Sequence, residues 1–123
     1  MKSERKKIVA NLDKIFSEFI CARDKRSVFS GSTDNLQCFH IFSRISYSTR
    51  WDERNAVAST ATENLKYEYD TYWQHQVHTW YIEKYGQQQF DLLYAMWNKT
   101  TKYSNADLMA MIEHYKKILK EGK

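Results

Sequence analysis

The sequence predicts an α+β fold in which helices dominate. Proline is absent from the 123 residues and glycine occurs only three times. Because these two residues punctuate strands and turns, their scarcity favours helices. Apolar residues recur at three- and four-residue spacing in four segments, which is the period of an amphipathic helix, whereas residues 36–43 partly alternate between two faces as a strand does. The length fits one domain, which we expect to span residues 1–123.

The N-terminal half is expected to hold one helix and a small mixed core. Apolar positions share one face over residues 4–24, which predicts an amphipathic helix there. Residues 27–69 then form the mixed core: a loop, a strand at 36–43, a Ser- and Thr-rich connection, a second short strand at 54–59 and the start of a helix. Both faces of the first strand carry bulky groups, so we expect both to be covered.

The C-terminal half, residues 70–121, is expected to form two to three helices. Gly86 lies where a left-handed C-cap glycine belongs, and Ser104 with Asp107 forms a variant of the capping box. An aromatic stripe runs along these helices, and we interpret it as core rather than as a base-stacking platform; its members are Trp73, Trp80, Tyr81, Tyr94 and Trp97.

Composition excludes several classes of protein. Apolar residues make up 42% of the chain and aromatic residues 15%, which excludes a disordered chain. No apolar run approaches the ~18 residues of a membrane-spanning helix, and no signal sequence is recognisable, so we expect a cytoplasmic protein without a membrane partner. Cys21 and Cys38 form no C-x-x-C pair, and two thiols cannot supply a structural zinc site. The net charge of +4 permits a polyanionic partner without requiring one.

Residues 36–64 carry the strongest candidate for chemistry. They place His40 on a strand, an Arg-rich loop after it, Asn55 at the opening of the second strand and Asn64 on the helix that follows. By comparison, His75 and His78 have no third ligand nearby in sequence, and we interpret them as surface or partly packed residues. The layout of residues 36–64 resembles that of the ββα-metal, or HNH, nucleases. That resemblance implies a strand His as general base, a middle Asn that holds the loop or orients the His, and a helix Asn that helps to hold one divalent metal.

These roles suit the chemistry of phosphodiester hydrolysis. The nucleophile is water, so the reaction needs a base whose pKa lies near neutrality, and imidazole meets that requirement. Negative charge develops on the phosphoryl oxygens, so the reaction also needs a metal ion or an arginine.

The chain also resembles a narrower family, the phage recombination proteins of the NinG/Rap type, along most of its length. "LDKIFSEFICARD" is similar to the family's opening helix, "LQCFHIFSR…STRWDERN" to its central block, "IEKYG" to a helix end and "LMAMIEHYKKILKE" to the closing helix. The resemblance implies a phage or prophage protein in a bacterial host, with an HNH-like endonuclease fold and a role in DNA recombination. It also implies branched DNA, such as a Holliday junction, as the partner.

The chain departs from this family at its zinc site. The family carries two C-x-x-C pairs, and by spacing their four cysteines fall on Ser27, Ser30, Thr60 and Glu63 here. We therefore expect no structural zinc. Since zinc binding supplies folding energy to small domains, other groups must hold the hairpin and the helix together. Six aromatic residues are candidates for this structural role, namely Phe29, Phe39, Phe42, Trp51, Tyr67 and Tyr69.

Two functions stay open at this stage. In the first, the chain is a metal-dependent nuclease in which His40 is the base, Asn55 orients the loop and Asn64 helps to hold Mg²⁺ or Mn²⁺. DNA would then be bound by five basic residues, Arg44, Arg50, Arg23, Lys25 and Arg26, while Asp52 and Arg54 form an internal ion pair.

In the second, catalysis has lapsed and the chain is a non-enzymatic interaction or inhibitor protein with a host or phage partner. Two observations favour this alternative. The family's glycine before the His is Phe39 here, which would narrow the approach to the base. No carboxylate or imidazole stands just before His40 as a first metal ligand.

Overall fold

The structure is a computed structural model that describes residues 3–122. Within these residues the chain forms six α-helices, two strands and one short 3-10 helix at Glu53–Asn55. The strands are β1, Leu36–His40, and β2, Ala56–Thr60. The helices are α1, Glu4–Asp24; α2, Tyr47–Arg50; α3, Ala61–Lys66; α4, Thr71–Tyr85; α5, Gln87–Trp97; and α6, Asn105–Glu121. The predicted helix-dominated α+β class is confirmed.

The long helices begin and end at residues that satisfy their terminal backbone groups. The Ser3 side chain caps the start of α1, and Lys25 ends it in a left-handed conformation. The capping box of Ser104 and Asp107 is present at the start of α6. Gly86 has a positive φ of 95°, as predicted, but its ψ of 153° is extended rather than left-handed helical, because the same residue also opens α5.

The hairpin lies between two helical layers. Its strands pair antiparallel, from Leu36 opposite Thr60 to His40 opposite Ala56. On one side Ala56 joins a core cluster formed by α1 and α6, and on the other Phe39 and Val57 join a second cluster with α4 and α5. Both faces of the hairpin are therefore covered, as expected. None of the helices within residues 3–122 has the length and apolar character needed to cross a lipid bilayer.

Both strands have different limits from the predicted ones. The first ends at His40 rather than at residue 43, and the second starts at Ala56 rather than at residue 54. The side chain of Asn55 causes the early end of the strand pairing. Ile41 N–H still donates to the Asn55 carbonyl, but the Asn55 amide then binds both backbone groups of Phe42 and ends the pairing. Phe42 therefore leaves the face predicted for it and packs in the second core cluster.

Candidate active site

A cleft of about 700 Å³ opens beside the hairpin, between α1, β1 and α3. Its walls carry His40 from the end of β1, Asn64 from α3 and Arg44 from the loop that follows β1. The cleft thus brings together three of the residues singled out in the sequence. Asp13 of α1 and Glu68, just after α3, also line it.

His40 is held in one tautomer by a backbone carbonyl. Its Nε2 lies 2.8 Å from the carbonyl oxygen of Arg50. Because that oxygen can only accept a hydrogen bond, Nε2 must carry the proton, which leaves Nδ1 as the basic nitrogen. Among the described residues, Nδ1 has no hydrogen-bond partner. A side chain in this state can accept a proton at a defined atom.

The surroundings of His40 favour its neutral form. Burial lowers the pKa of the imidazole, and although the hydrogen bond to Arg50 acts in the opposite direction, the net pKa lies below the ordinary value. Arg44 lowers this pKa further and Asp13 raises it. At neutral pH the residue is therefore uncharged and able to act as a base.

Phe39 does not obstruct His40, contrary to the sequence-based expectation. Adjacent strand residues point to opposite faces, and Phe39 is fully buried on the far side of the hairpin from the cleft, against Phe29 and Tyr67. The approach to the imidazole is therefore not narrowed by that ring.

Asn64 presents a free amide oxygen beside the strand. Its Nδ2 donates to Gln37 Oε1 at 3.0 Å and lies 3.5 Å from the Cys38 carbonyl oxygen. Within residues 3–122, its Oδ1 accepts no hydrogen bond. Oxygen donors are what Mg²⁺ and Mn²⁺ prefer, and Glu68 adds a carboxylate to the same cleft. No group of three or more His, Cys, Asp or Glu side chains in this part of the chain is arranged to hold a metal.

Asn55 holds the loop, which is the role expected for it, but it cannot be grouped with His40 as a catalytic residue in contact with a substrate. It is 0% exposed and therefore cannot touch a substrate. Its Oδ1 accepts the Phe42 N–H at 2.9 Å, and its Nδ2 donates to the carbonyls of Phe42 and Thr49 at 3.0 and 3.1 Å. These bonds hold the two ends of the loop between the strands together.

Two of the five predicted DNA-binding residues are engaged in hydrogen bonds within the chain, although one of them, Arg23, is exposed. Arg50 forms a two-pronged ion pair with Asp13, the shorter contact being 2.6 Å. Arg23 pairs with Asp24 and donates to the carbonyls of Glu53 and Ala56. We therefore assign both to holding the loop and not to phosphate.

The other three predicted basic residues, Arg44, Lys25 and Arg26, are exposed. Of these, Arg44 lines the cleft. The expected ion pair between Asp52 and Arg54 is present, at 2.7 Å.

Hydrogen bonds join the four positions that the resemblance assigns to zinc ligands. Ser27 Oγ donates to Glu63 Oε1 at 2.6 Å, and the same carboxylate oxygen accepts the Thr60 N–H. Ser27 Oγ in turn accepts the Ser30 N–H, and Thr60 Oγ1 accepts the Glu63 N–H. We call these four residues the polar cluster. It was missed from the sequence, although Thr60 and Glu63 match the Ser/Thr-x-x-Glu capping-box pattern.

Most of the aromatic candidates also support this region. Phe29, Phe39, Phe42 and Tyr67 pack within or against the second core cluster, and Trp51 belongs to the first. Tyr69 is the exception, because it is 71% exposed. The hairpin and α3 are thus held by a polar cluster and by aromatic packing together.

The two histidines of α4 lie away from this chemistry. His75 is exposed. His78 is partly buried and its Nε2 lies 2.8 Å from the Tyr67 hydroxyl. Burial lowers the pKa of His78, and the Tyr67 hydroxyl donates to the Ile41 carbonyl at 2.7 Å. This is a packing role, in agreement with the interpretation favoured from the sequence.

We expect the polar cluster to make the free energy of unfolding depend on pH, with stability lost as the solution becomes acidic. Burial acts to raise the pKa of the Glu63 carboxyl, but hydrogen bonds from Ser27, Thr60 and Ser30 outweigh it and hold that pKa below its ordinary value. A lowered native pKa gives stability that is complete above the unfolded value of about 4.3 and is lost as the pH falls through the native value. Glu63→Gln should remove the contribution of the Glu63 carboxylate, so the stability of that variant should change less between neutral and acidic pH.

Urea midpoints measured between about pH 7 and pH 3 test this prediction. Glu113→Gln, at an exposed position of α6, is the matched control and should keep the wild-type profile. If Glu63→Gln lost stability with acid as steeply as the wild-type chain, Glu63 would not be the source.

Comparison of the chain with protein-family models, with curated proteins and with solved structures gives no match. Its function must therefore be inferred from its own residues and their geometry.

Proposed function

We propose that this chain binds branched DNA and hydrolyses a phosphodiester bond in it, as a divergent relative of the NinG/Rap recombination nucleases of phages. The observation that carries the proposal is the state of His40. The imidazole is neutral, its Nε2 proton is donated to the Arg50 carbonyl, and its Nδ1 has no hydrogen-bond partner among the described residues; the residue lines a cleft that also carries Asn64 and Arg44.

The chemical step in this proposal is attack by water on phosphorus. His40 Nδ1 takes the proton from the water as the new P–O bond forms. The P–O bond to the sugar oxygen breaks, and that oxygen leaves with the electron pair and takes a proton from solvent water. The loop and β1 hold the imidazole in place through the Arg50 carbonyl, so no reorientation of the base is needed during the reaction.

Two oxygen-bearing side chains of the cleft could share a hard divalent cation with the substrate. Asn64 Oδ1 and the Glu68 carboxylate would hold it from the protein side, and because these are few ligands, phosphate oxygens would complete its coordination. When bound, Mg²⁺ or Mn²⁺ would supply a Lewis acid for the charge that develops on the phosphoryl group.

Basic residues provide the contacts to the DNA backbone. Arg44 is exposed at the cleft, and Lys25 with Arg26 forms a second exposed basic site just after α1. The net charge of +4 agrees with a polyanionic partner. Phosphate contacts of this kind position a nucleic acid without reading its sequence, which suits a protein that recognises a branched shape.

The polar cluster supports the family part of the proposal. The resemblance assigns zinc ligands to residues far apart in the chain, two near residue 30 and two near residue 60. Ser27 and Glu63, one from each pair, are in direct contact at 2.6 Å. Proximity of these positions is what a fold shared with the family would require, and it supports this part of the proposal.

The experiment is incubation with a four-way junction and, separately, with linear duplex of the same sequence. We expect nicks near the branch point in Mn²⁺ or Mg²⁺ and none in EDTA. We also expect junction affinity to fall linearly with the logarithm of salt concentration. Salt-sensitive binding without nicking would refute the proposed hydrolysis. The absence of both binding and nicking would also refute DNA as the partner.

We expect the pH dependence of the nicking rate to follow the protonation of His40. The neutral imidazole is the active form, and its pKa lies below the ordinary value of about 6.5. Between about pH 7.5 and 5, the rate should therefore reach half of its neutral-pH value only below about pH 6.5. Single-turnover rates across this range measure the effect. A rate that already declines above about pH 7 would contradict the assignment.

A second candidate function, binding of a protein partner without catalysis, is favoured by one observation. Several large apolar or aromatic side chains are exposed away from the cleft, on or near α3, α4 and α5; they include Leu65, Tyr69, Tyr72, Leu92 and Tyr94. Exposed aromatic residues are enriched at protein interfaces. This candidate gains if the junction experiment shows neither binding nor nicking.

A further inference from the structure

We propose that Asp13 of α1 is a positioning residue for His40: its carboxylate fixes the peptide group whose carbonyl holds the imidazole. The inference deepens the proposed function, because its effect on catalysis matters only if His40 is the base. Its effect on the tautomer of His40 can be measured whether or not the chain cuts DNA.

Asp13 binds two consecutive residues of the loop. Its Oδ1 accepts from Arg50 Nε at 3.0 Å and from Trp51 Nε1 at 2.9 Å, and its Oδ2 accepts from Arg50 Nη2 at 2.6 Å. Three hydrogen bonds to one carboxylate, two of them from a guanidinium fork, are among the stronger polar contacts in proteins.

The two residues held by Asp13, Arg50 and Trp51, lie on either side of the peptide group that binds His40. The Arg50 carbonyl belongs to the peptide unit that joins Arg50 to Trp51, and it accepts the His40 Nε2 proton at 2.8 Å. Because a peptide unit is planar, side chains anchored on both sides of it restrict its rotation. Asp13 therefore acts on His40 through this plane, without touching the imidazole directly.

Further hydrogen bonds hold the residues on either side of this peptide group. Tyr115 of α6 donates its hydroxyl proton to the Trp51 carbonyl at 2.6 Å, and Arg50 Nη1 lies 3.4 Å from the Arg44 carbonyl. The side chains of Arg50 and Asp13 are only 14% and 25% exposed, so solvent screens their interaction less than that of a surface pair. The carboxylate supplies the charge that makes this arrangement rigid.

A matched control exists on the same helix. Asp24 also pairs with an arginine fork, Arg23 Nε at 2.8 Å and Nη2 at 3.0 Å, and also accepts a third N–H, that of Ala58 at 2.8 Å. Asp24 and Arg23 make no contact with His40. Asp24→Asn therefore removes the same charge from a similar arrangement and reports the effect of general loosening.

The test is the ¹⁵N NMR spectrum of the His40 ring in the full chain. In the wild-type chain the two ring nitrogens should have widely separated shifts, as a single Nε2–H tautomer requires. In Asp13→Asn the shifts should move toward each other as the second tautomer becomes populated, while in Asp24→Asn they should keep the wild-type separation. Nicking by Asp13→Asn should slow by about 10- to 10²-fold although junction affinity is no weaker than that of the wild-type chain.

Two outcomes would overturn the inference: a wild-type tautomer in Asp13→Asn, or an equal change in Asp24→Asn. If Asp13→Asn does not fold, Arg50→Lys carries the same test, because it keeps the charge but loses the fork, and an unchanged tautomer in that variant would overturn the inference equally. Failure of the wild-type chain to nick a junction would refute the proposed hydrolysis and leave the tautomer result unaffected.

Discussion

Replacing His40 by alanine is expected to slow the nicking of a four-way junction by about 10²–10⁴-fold, the usual contribution of a general base. Without the imidazole, only solvent is left to accept the proton of the attacking water, and solvent is a weak base at neutral pH. Binding of the junction should change little, because His40 is uncharged and the exposed basic residues carry the phosphate contacts. Single-turnover rates and junction affinities measured on the same preparation separate the two quantities.

His75→Ala is the matched control for this experiment. It removes a histidine from an exposed position on α4, away from the cleft, and should nick at the wild-type rate. Purified in parallel, it also shows whether a contaminating nuclease accounts for any cutting. Nicking by His40→Ala at the wild-type rate would exclude His40 as the base.

Replacing Asn55 by alanine is expected to cause the largest loss of stability among the variants considered, roughly 3–5 kcal/mol. The substitution deletes three hydrogen bonds and leaves the N–H and the carbonyl of Phe42 without a partner in the interior, while the Thr49 carbonyl keeps the Asp52 N–H. A loss of this size is a large share of the ~5–15 kcal/mol that stabilises a typical domain. It should appear as a lower urea midpoint with little change of slope.

Asn64→Ala provides the comparison for Asn55→Ala. It makes the same chemical change at a partly exposed position, where the amide has one good hydrogen bond, to Gln37. We expect that variant to lose about 1 kcal/mol or less. Equal losses in the two variants would show that Asn55 does not hold the loop as described.

The helices could be predicted from the sequence because their signals are local. The apolar positions of α1 and α6 repeat with the helical period, and the caps at Ser104 and Gly86 lie in adjacent sequence. The same patterns predict the order of α1, the two short strands and the later helices, but not the short helix α2, which lies in the connection between the strands. Elements whose limits depend on nearby residues are therefore the ones that sequence reasoning placed well.

The limits of the strands could not be predicted in this way. β1 ends at His40 because a side chain 13 residues beyond Phe42 binds the backbone of that residue. Periodicity alone extends the strand to residue 43 and places Phe42 on the wrong face. A backbone group that is satisfied by a distant side chain leaves no local pattern.

The roles of the arginines could not be predicted from the sequence either. Arg50 and Arg44 lie in the same loop and look alike in sequence, but only Arg50 meets a carboxylate, that of Asp13, 37 residues away. The polar cluster is a similar case, since Ser27 and Glu63 are separated by 36 residues. Residue type and spacing identified which positions matter, whereas tertiary contacts decided what each position does.

Chemical rescue of His40→Ala tests the central claim most directly. Nicking of a four-way junction in Mn²⁺ is measured for the wild-type chain and for His40→Ala, without and with added imidazole. We predict that the wild-type chain nicks, that His40→Ala is nearly inactive, and that imidazole restores its activity in proportion to its neutral fraction. A wild-type chain that does not nick, or a His40→Ala variant that nicks equally well without imidazole, would contradict the claim that this cleft hydrolyses DNA with His40 as its base.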